Sequence, residues 1–246
     1  MKILIHGSTG RMGKILCELL TAGYNGLELT ARVSPEEISD PANGIFTSLS
    51  EVNCEVDGVI DFSHHTAVGG LMAFCIEKNL PVVVATTGHT PEEKTIITEA
   101  AKKIPVFFSA NMSIGVALLA ELAKKAASVF PEANIEIVEK HHNQKLDVPS
   151  GTALLLAHRI QEALTDTVLL IGRHENGKRT AKEIGIHSLR LGNEVGTHEI
   201  IIATGAETIT LKHEAENRSL FANGALAAAK FLKGKSAGLY SMQDII

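Results

Sequence analysis

A chain of 246 residues with 45% hydrophobic and 21% charged content can bury one large core or two modest ones, which excludes disorder as its main state. The formal net charge of -5 and a sequence pI of about 6.1 exclude nucleic acid as the main partner, because phosphate binding needs an excess of Lys and Arg on one face. Cys17, Cys54 and Cys75 lack Cys-x-x-Cys spacing and read as core thiols, and with no signal-like start and no apolar run near ~18 residues a cytoplasmic protein without a membrane span is expected.

Short apolar segments at residues 2–6, 27–33, 56–62, 81–85 and 105–109 predict strands, and the stretches 11–22, 66–78 and 91–103 predict helices between them. That alternation implies a parallel sheet with helices on both faces, a Rossmann-type, doubly wound α/β domain. A longer Ala- and Leu-rich helix is predicted over 114–129, followed by a strand over 134–139, a loop, and a helix opening at Ser150. Three strands then follow without helices between them, over 183–191, 197–203 and 207–213, so the second domain is expected to be α+β with a mixed or antiparallel sheet. A last helix over 219–232 should pack back on the first domain. Two domains joined by short hinges are therefore expected, 1–112 with 218–246, and 113–217.

The first predicted strand runs directly into Gly7-Ser8-Thr9-Gly10-Arg11-Met12-Gly13, which opens the first helix. Glycines here let backbone amides approach a pyrophosphate, and the helix dipole adds partial positive charge, so these seven residues form the expected dinucleotide-binding turn. The spacing is G-x-x-G-x-x-G, not the commoner G-x-G-x-x-G, and its place between first strand and first helix is what gives it weight. The second strand ends Ala31-Arg32-Val33-Ser34, with no Asp or Glu at its tip to hold ribose hydroxyls. Arg32, helped by Arg11, can instead pair with a 2'-phosphate, which favours NADPH and leaves NADH open.

The densest chemistry lies in residues 140–153, where His141, His142, Lys145 and Asp147 crowd against a helix start. Ser150 stands at an N-cap position, Gly151 and Thr152 fill the first turn, and amides at such a start suit a carboxylate or phosphate. The two histidines fall at a strand end or in the loop after it. Each residue taken singly is ordinary for a loop; proton donors converging on an anion site read as strand, catalytic loop and anion-binding helix.

Together these motifs resemble the dihydrodipicolinate reductase family over essentially the whole chain. Residues 7–13 match its G-x-x-G-R-M-G, and Ala85-Thr86-Thr87-Gly88 is similar to its G-T-T-G with Ala85 for the first glycine. Ser109-Ala110-Asn111-Met112-Ser113 is similar to its A-N-F/M-S turn, residues 141–153 match its signature, and Arg218 with Phe221-Ala222-Asn223-Gly224-Ala225 resembles its last helix. The resemblance implies NAD(P)H-dependent reduction of 4-hydroxy-tetrahydrodipicolinate, a cyclic dicarboxylate, in the diaminopimelate route to lysine. It implies hydride delivery to a ring carbon and a proton from the pair His141 and Lys145, either being the immediate donor. His142, Ser150, Gly151 and Thr152, with the ammonium of Lys145, would hold the carboxylates. Ala85, Thr86, Thr87, Ser109, Ala110, Asn111 and Met112 would lie along the nicotinamide half of the cofactor. Closure on hinges near 111–114 and 217–219 is also implied, as is a homotetramer built through the second domain's sheet, whose edge strands within 197–213 read as apolar and unblunted.

Other readings fare worse. A short-chain dehydrogenase needs Tyr four residues before Lys, whereas Tyr24 and Tyr240 precede Glu28 and Asp244. No metal is expected, because no His-Glu-x-x-His helix exists and the adjacent pairs His64-His65 and His141-His142 aim poorly at one ion. A non-catalytic NADP(H)-sensing module is the alternative from another class, and the acid cluster argues against it.

Overall fold

Continuous apolar runs such as Val82-Val83-Val84 suit strands covered on both faces, whereas strict alternation suits a sheet covered on one. The computed structural model, which describes residues 1–24 and 26–246, contains both kinds. In chain order the strands are β1 (Lys2–His6), β2 (Glu28–Val33), β3 (Ile45–Phe46), β4 (Gly58–Asp61), β5 (Val82–Val84), β6 (Pro105–Phe108), β7 (Asn134–His141), β8 (Val168–Ile171), β9 (Glu183–Arg190), β10 (Gly196–Ala203), β11 (Thr208–Ala215) and β12 (Gly238–Tyr240). The helices are α1 (Arg11–Thr21), α2 (Val68–Glu77), α3 (Pro91–Ala101), α4 (Ile114–Val129), α5 (Gly151–Gln161) and α6 (Ser219–Leu232).

One compact unit comprises Met1–Ser113 and Ser219–Ile246. Its seven strands, ordered β12-β6-β5-β4-β1-β2-β3, pair in parallel throughout. This is the expected Rossmann-type sheet. Leu4, Val59, Val82, Val84 and Val106 pack on Leu71, Met72 and Cys75 of α2 and on Ile97 and Ala100 of α3. Each buried Val, Leu, Ile or Met among them contributes roughly 1.5–3 kcal/mol through burial. Helix α6 lies against β4, β5 and β6 and against α1. The order reverses at β1, between β4 and β2, the switch point where open α/β sheets form a ligand crevice at the carboxyl ends of their strands. Strands β3 and β12 are additions to the predicted set; with two and three residues they carry no readable period.

The other unit, Ile114–Arg218, holds a five-stranded mixed sheet ordered β11-β10-β7-β9-β8. Strand β10 is antiparallel to β7 and β11, while β9 is parallel to β7 and β8. Alternation along β7 turns Ile135 and Ile137 inward, where with Ile184, Ile186, Ile200 and Ile202 they meet Leu119, Ala120 and Ala123 of α4 and Ala153, Leu156 and Ile160 of α5. The structure corrects the expected edges. Residues 197–203 lie in the interior strand β10, whereas β11, which carries 208–213, is an edge as expected; the other edge is β8, unforeseen because Val-Leu-Leu-Ile lacks alternation. Edge β11 is blunted by charge, with Lys212 Nζ 2.6 Å from Glu214. Cys17, Cys54 and Cys75 are free thiols, and among the described residues no helix is long and apolar enough to cross a membrane.

Candidate active site

The chain leaves β1 through Gly7 at φ 82°, where a Cβ would stand 2.6 Å from the Phe62 carbonyl oxygen. A Cβ on Gly13 would stand 2.1 Å from the Gly7 carbonyl oxygen, so the turn is built at backbone contact distance and closed to side chains. Gly10 is the N-cap of α1 and no side chain caps the first-turn amides, which fits a pyrophosphate as their acceptor. Arg11 is exposed at the first helical position and Met12 is half-buried behind it.

The rim beside this turn differs from expectation. After β2 the chain folds back, with the Glu37 amide donating to the Ser34 carbonyl at 3.0 Å, and this brings carboxylates to the glycine turn. Ser8 Oγ donates to Glu37 at 2.8 Å, Thr9 Oγ1 donates to Glu36 at 2.8 Å, and Arg32 Nε lies 3.7 Å from Glu37. The tip of β2 therefore holds acids as well as Arg32, supplied by the turn and not by the strand.

Asp61, buried at the end of β4, organises the neighbouring strand ends. It takes His6 Nδ1 at 2.8 Å, Ser63 Oγ at 2.6 Å and Thr86 Oγ1 at 2.6 Å. Thr86 and Ala85 are thus buried with the Thr86 hydroxyl committed to Asp61, while Thr87 is exposed. After β6, Ser109 Oγ donates to the Asn111 carbonyl at 2.7 Å and Asn111 Oδ1 accepts from the Ser113 amide at 2.8 Å, a self-bonded turn around Ala110. Met112 is buried, and its carbonyl oxygen would lie 1.6 Å from a Cβ on Gly224, so that glycine in α6 lets the turn dock.

In the unit of α4 and α5, His141 is the last residue of β7 and His142 begins the loop. His141 Nδ1 is 2.5 Å from Glu139 Oε2, and Glu139 is fully buried. Arg190 grips the same carboxylate with Nη1 at 2.9 Å and Nη2 at 2.8 Å, and the Ser150 amide donates to it at 3.2 Å. Ser150 caps α5 through its Oγ, which accepts from the Ala153 amide at 3.2 Å and lies 3.1 Å from His198 Nε2; such a cap is worth about 1 kcal/mol. Gly151 stays exposed at the helix start, with Thr152 half-buried beside it. Lys145 pairs with Asp147 at 2.7 Å on the rim. The structure thus joins His141 to Ser150 through Glu139, and sets Lys145 on the loop between them.

Residues 1–112 match the family description "Dihydrodipicolinate reductase, N-terminus" and residues 115–246 match "Dihydrodipicolinate reductase, C-terminus". The chain belongs to the dihydrodipicolinate reductase family. It is therefore an NAD(P)H-dependent oxidoreductase of the diaminopimelate route to lysine. The 4-hydroxy-tetrahydrodipicolinate reductase of Clostridium novyi is 42% identical over 247 residues, spanning 100% of this chain and 98% of its own. That of Caldanaerobacter subterraneus subsp. tengcongensis is 43% identical over 249 residues, again spanning 100% and 98%. A dipicolinate-bound dihydrodipicolinate reductase from Paenisporosarcina sp. TG-14 shares the fold with a TM-score of 0.84 at 27% identity, covering 100% of this chain and 99% of that one.

In this dihydrodipicolinate reductase family member, burial acts upward on Glu139, but the hydrogen bonds from His141 and Arg190 outweigh it and hold the carboxyl well below the usual carboxylate range. Burial, reinforced by neighbouring His141, pushes the His198 imidazole down to about 3 from 6.5. The unfolded chain then binds a proton at His198 that the folded chain refuses. Stability from this group is complete above about pH 6.5 and is lost as pH falls toward about 3. His89 and His213, also lowered by burial, act in the same direction. The urea midpoint should fall between about pH 7 and about pH 5, and less steeply in His198→Gln; equal slopes would contradict a neutral buried His198.

Proposed function

We propose that this reductase reduces 4-hydroxy-tetrahydrodipicolinate using His141 and Lys145 as its acid pair and the head of α5 as its carboxylate cradle. The observation that carries this is the sharing of one buried carboxylate, Glu139, by His141 and Ser150, which fixes proton donor and anion site relative to each other. Bound nicotinamide supplies a hydride to a ring carbon. The ammonium of Lys145, His142 and the amides of Gly151 and Thr152 hold the two carboxylates, with Ser150 fixing the helix start. Lys145 exchanges its exposed partner Asp147 for a substrate carboxylate. The substrate hydroxyl leaves as water together with a hydrogen from the adjacent ring carbon, and after hydride transfer a proton from His141 or Lys145 is added at that carbon, so one hydride and one proton are consumed for each water released.

In this account the unit containing residues 1–112 and 218–246 binds the dinucleotide through Gly7, Ser8, Thr9, Gly10, Arg11, Met12 and Gly13. Ala85, Thr86, Thr87 and the turn of Ser109, Ala110, Asn111 and Met112 lie along the nicotinamide half. Residues 113–217 bind substrate and form a homotetramer through the sheet face opposite α4 and α5, which exposes Val168 and Leu189. The enzyme works in the cytoplasm.

Both cofactors are used, with NADPH favoured when Arg32 turns to its 2'-phosphate and NADH supported by Glu37 accepting a ribose hydroxyl. The test is loss of cofactor absorbance with the substrate formed in place from pyruvate and aspartate semialdehyde. Turnover is expected with each, Arg32→Ala should lower the NADPH-to-NADH ratio of kcat/KM at least about tenfold, and Glu37→Gln should raise it about threefold. A ratio unmoved by both changes would contradict the assignment. Tight NADPH binding by folded protein without turnover would favour the sensing module.

A further inference from the structure

We propose that Glu139, clamped by Arg190, is a positioning residue that dictates which nitrogen of His141 faces the substrate, an inference resting on His141 acting as an acid. The hydrogen-bond inventory carries it. Glu139 Oε2 meets His141 Nδ1 at 2.5 Å and Arg190 Nη1 at 2.9 Å, and Oε1 meets Arg190 Nη2 at 2.8 Å and the Ser150 amide at 3.2 Å. Those partners use the roughly four lone-pair sites of a carboxylate. An ionised carboxylate only accepts, so Nδ1 must carry a hydrogen; the opposite tautomer would set two lone pairs face to face at 2.5 Å. Nε2 is then the one ring nitrogen able to hand on a proton.

Three neighbours enforce the arrangement. Arg190 offsets the cost of burying the Glu139 charge, and its Nη2 also reaches the Asp147 carbonyl at 2.7 Å, holding the loop that bears Lys145. His198 packs edge-on against the His141 ring at 5.2 Å between centroids. Gly196, the first residue of β10, keeps the space before Nε2 clear, since a Cβ there would stand 3.0 Å from that nitrogen. When the imidazolium gives up its proton, the electron pair of that N–H bond stays on Nε2, the Nδ1–H bond to Glu139 persists, and no proton passes to Glu139. A Gln at 139 must turn its NH2 toward two of these donors, so it cannot satisfy both Arg190 and the same His141 tautomer.

The experiment is a two-bond proton–nitrogen spectrum of the 15N-histidine-labelled enzyme at a pH where the ring is neutral, with His141 assigned by its loss in His141→Gln. Wild type should show Nδ1 protonated and Nε2 bare. Glu139→Gln should convert the ring to the Nε2-protonated form and lower kcat about a hundredfold, while the Kd for NADPH stays at the wild-type value. A wild-type ring protonated at Nε2 overturns the proposal with no variant needed, even if Glu139→Gln fails to fold. An unchanged tautomer and kcat in folded Glu139→Gln overturns it too. Failure of the underlying acid role is distinguishable, because His141→Gln would then keep its turnover while the wild-type tautomer stayed as assigned.

Discussion

His141→Gln should lower kcat by about 10²–10⁴-fold while leaving the Kd for NADPH within about twofold of wild type. The glutamine amide can still donate a hydrogen bond to Glu139, so the buried carboxylate keeps a partner and the head of α5 keeps its place. What disappears is the ring nitrogen that can hand a proton to the substrate. Hydride delivery without a matching proton leaves charge on the substrate ring, and the barrier rises accordingly. Cofactor binding is expected to survive because the glycine turn proposed to serve it, Gly7 to Gly13, belongs to the other unit. Steady-state kinetics with a separate NADPH titration checks this. Comparable losses in both quantities would refute a chemical role for His141.

Lys145→Ala should raise the substrate KM about tenfold or more and lower kcat as well, because in the proposed mechanism one ammonium serves both charge and proton supply. Asp147 shows that a carboxylate is at home at this place. Burial alone would raise its carboxyl, yet the hydrogen bond and charge of Lys145, aided by the Gly151 amide, outweigh it and hold the group below its ordinary range. In the proposed mechanism the substrate brings two carboxylates to compete for the same ammonium and helix start. An unchanged KM would exclude a carboxylate contact at Lys145.

Much of this site is local and therefore legible along the chain. The Ser150 cap, the exposed Gly151 and the alternation that ends β7 at His141 are properties of short segments, as is the glycine turn between β1 and α1. Glu139 carried a signal too, standing two residues before His141 and so on the same face of a strand. Arg190 and His198 carried none. They come from β9 and β10, and only the pairing of His141 with Arg190 and of Glu139 with His198 brings them to the carboxylate. Glu36 and Glu37 were in plain view but one turn beyond the strand tip, and their approach to Ser8 and Thr9 depends on a fold-back that strand periodicity does not encode. Strands β3, β8 and β12 escaped for a related reason, since each takes its identity from a neighbour and not from its own pattern.

The most direct test of the account is a crystal structure of the enzyme with NADPH and dipicolinate, a stable planar dicarboxylate. One carboxylate is expected within hydrogen-bond distance of Lys145 Nζ and the amides of Gly151 and Thr152, with His141 Nε2 directed at the ring. Dipicolinate bound away from both Lys145 and the start of α5 would contradict it.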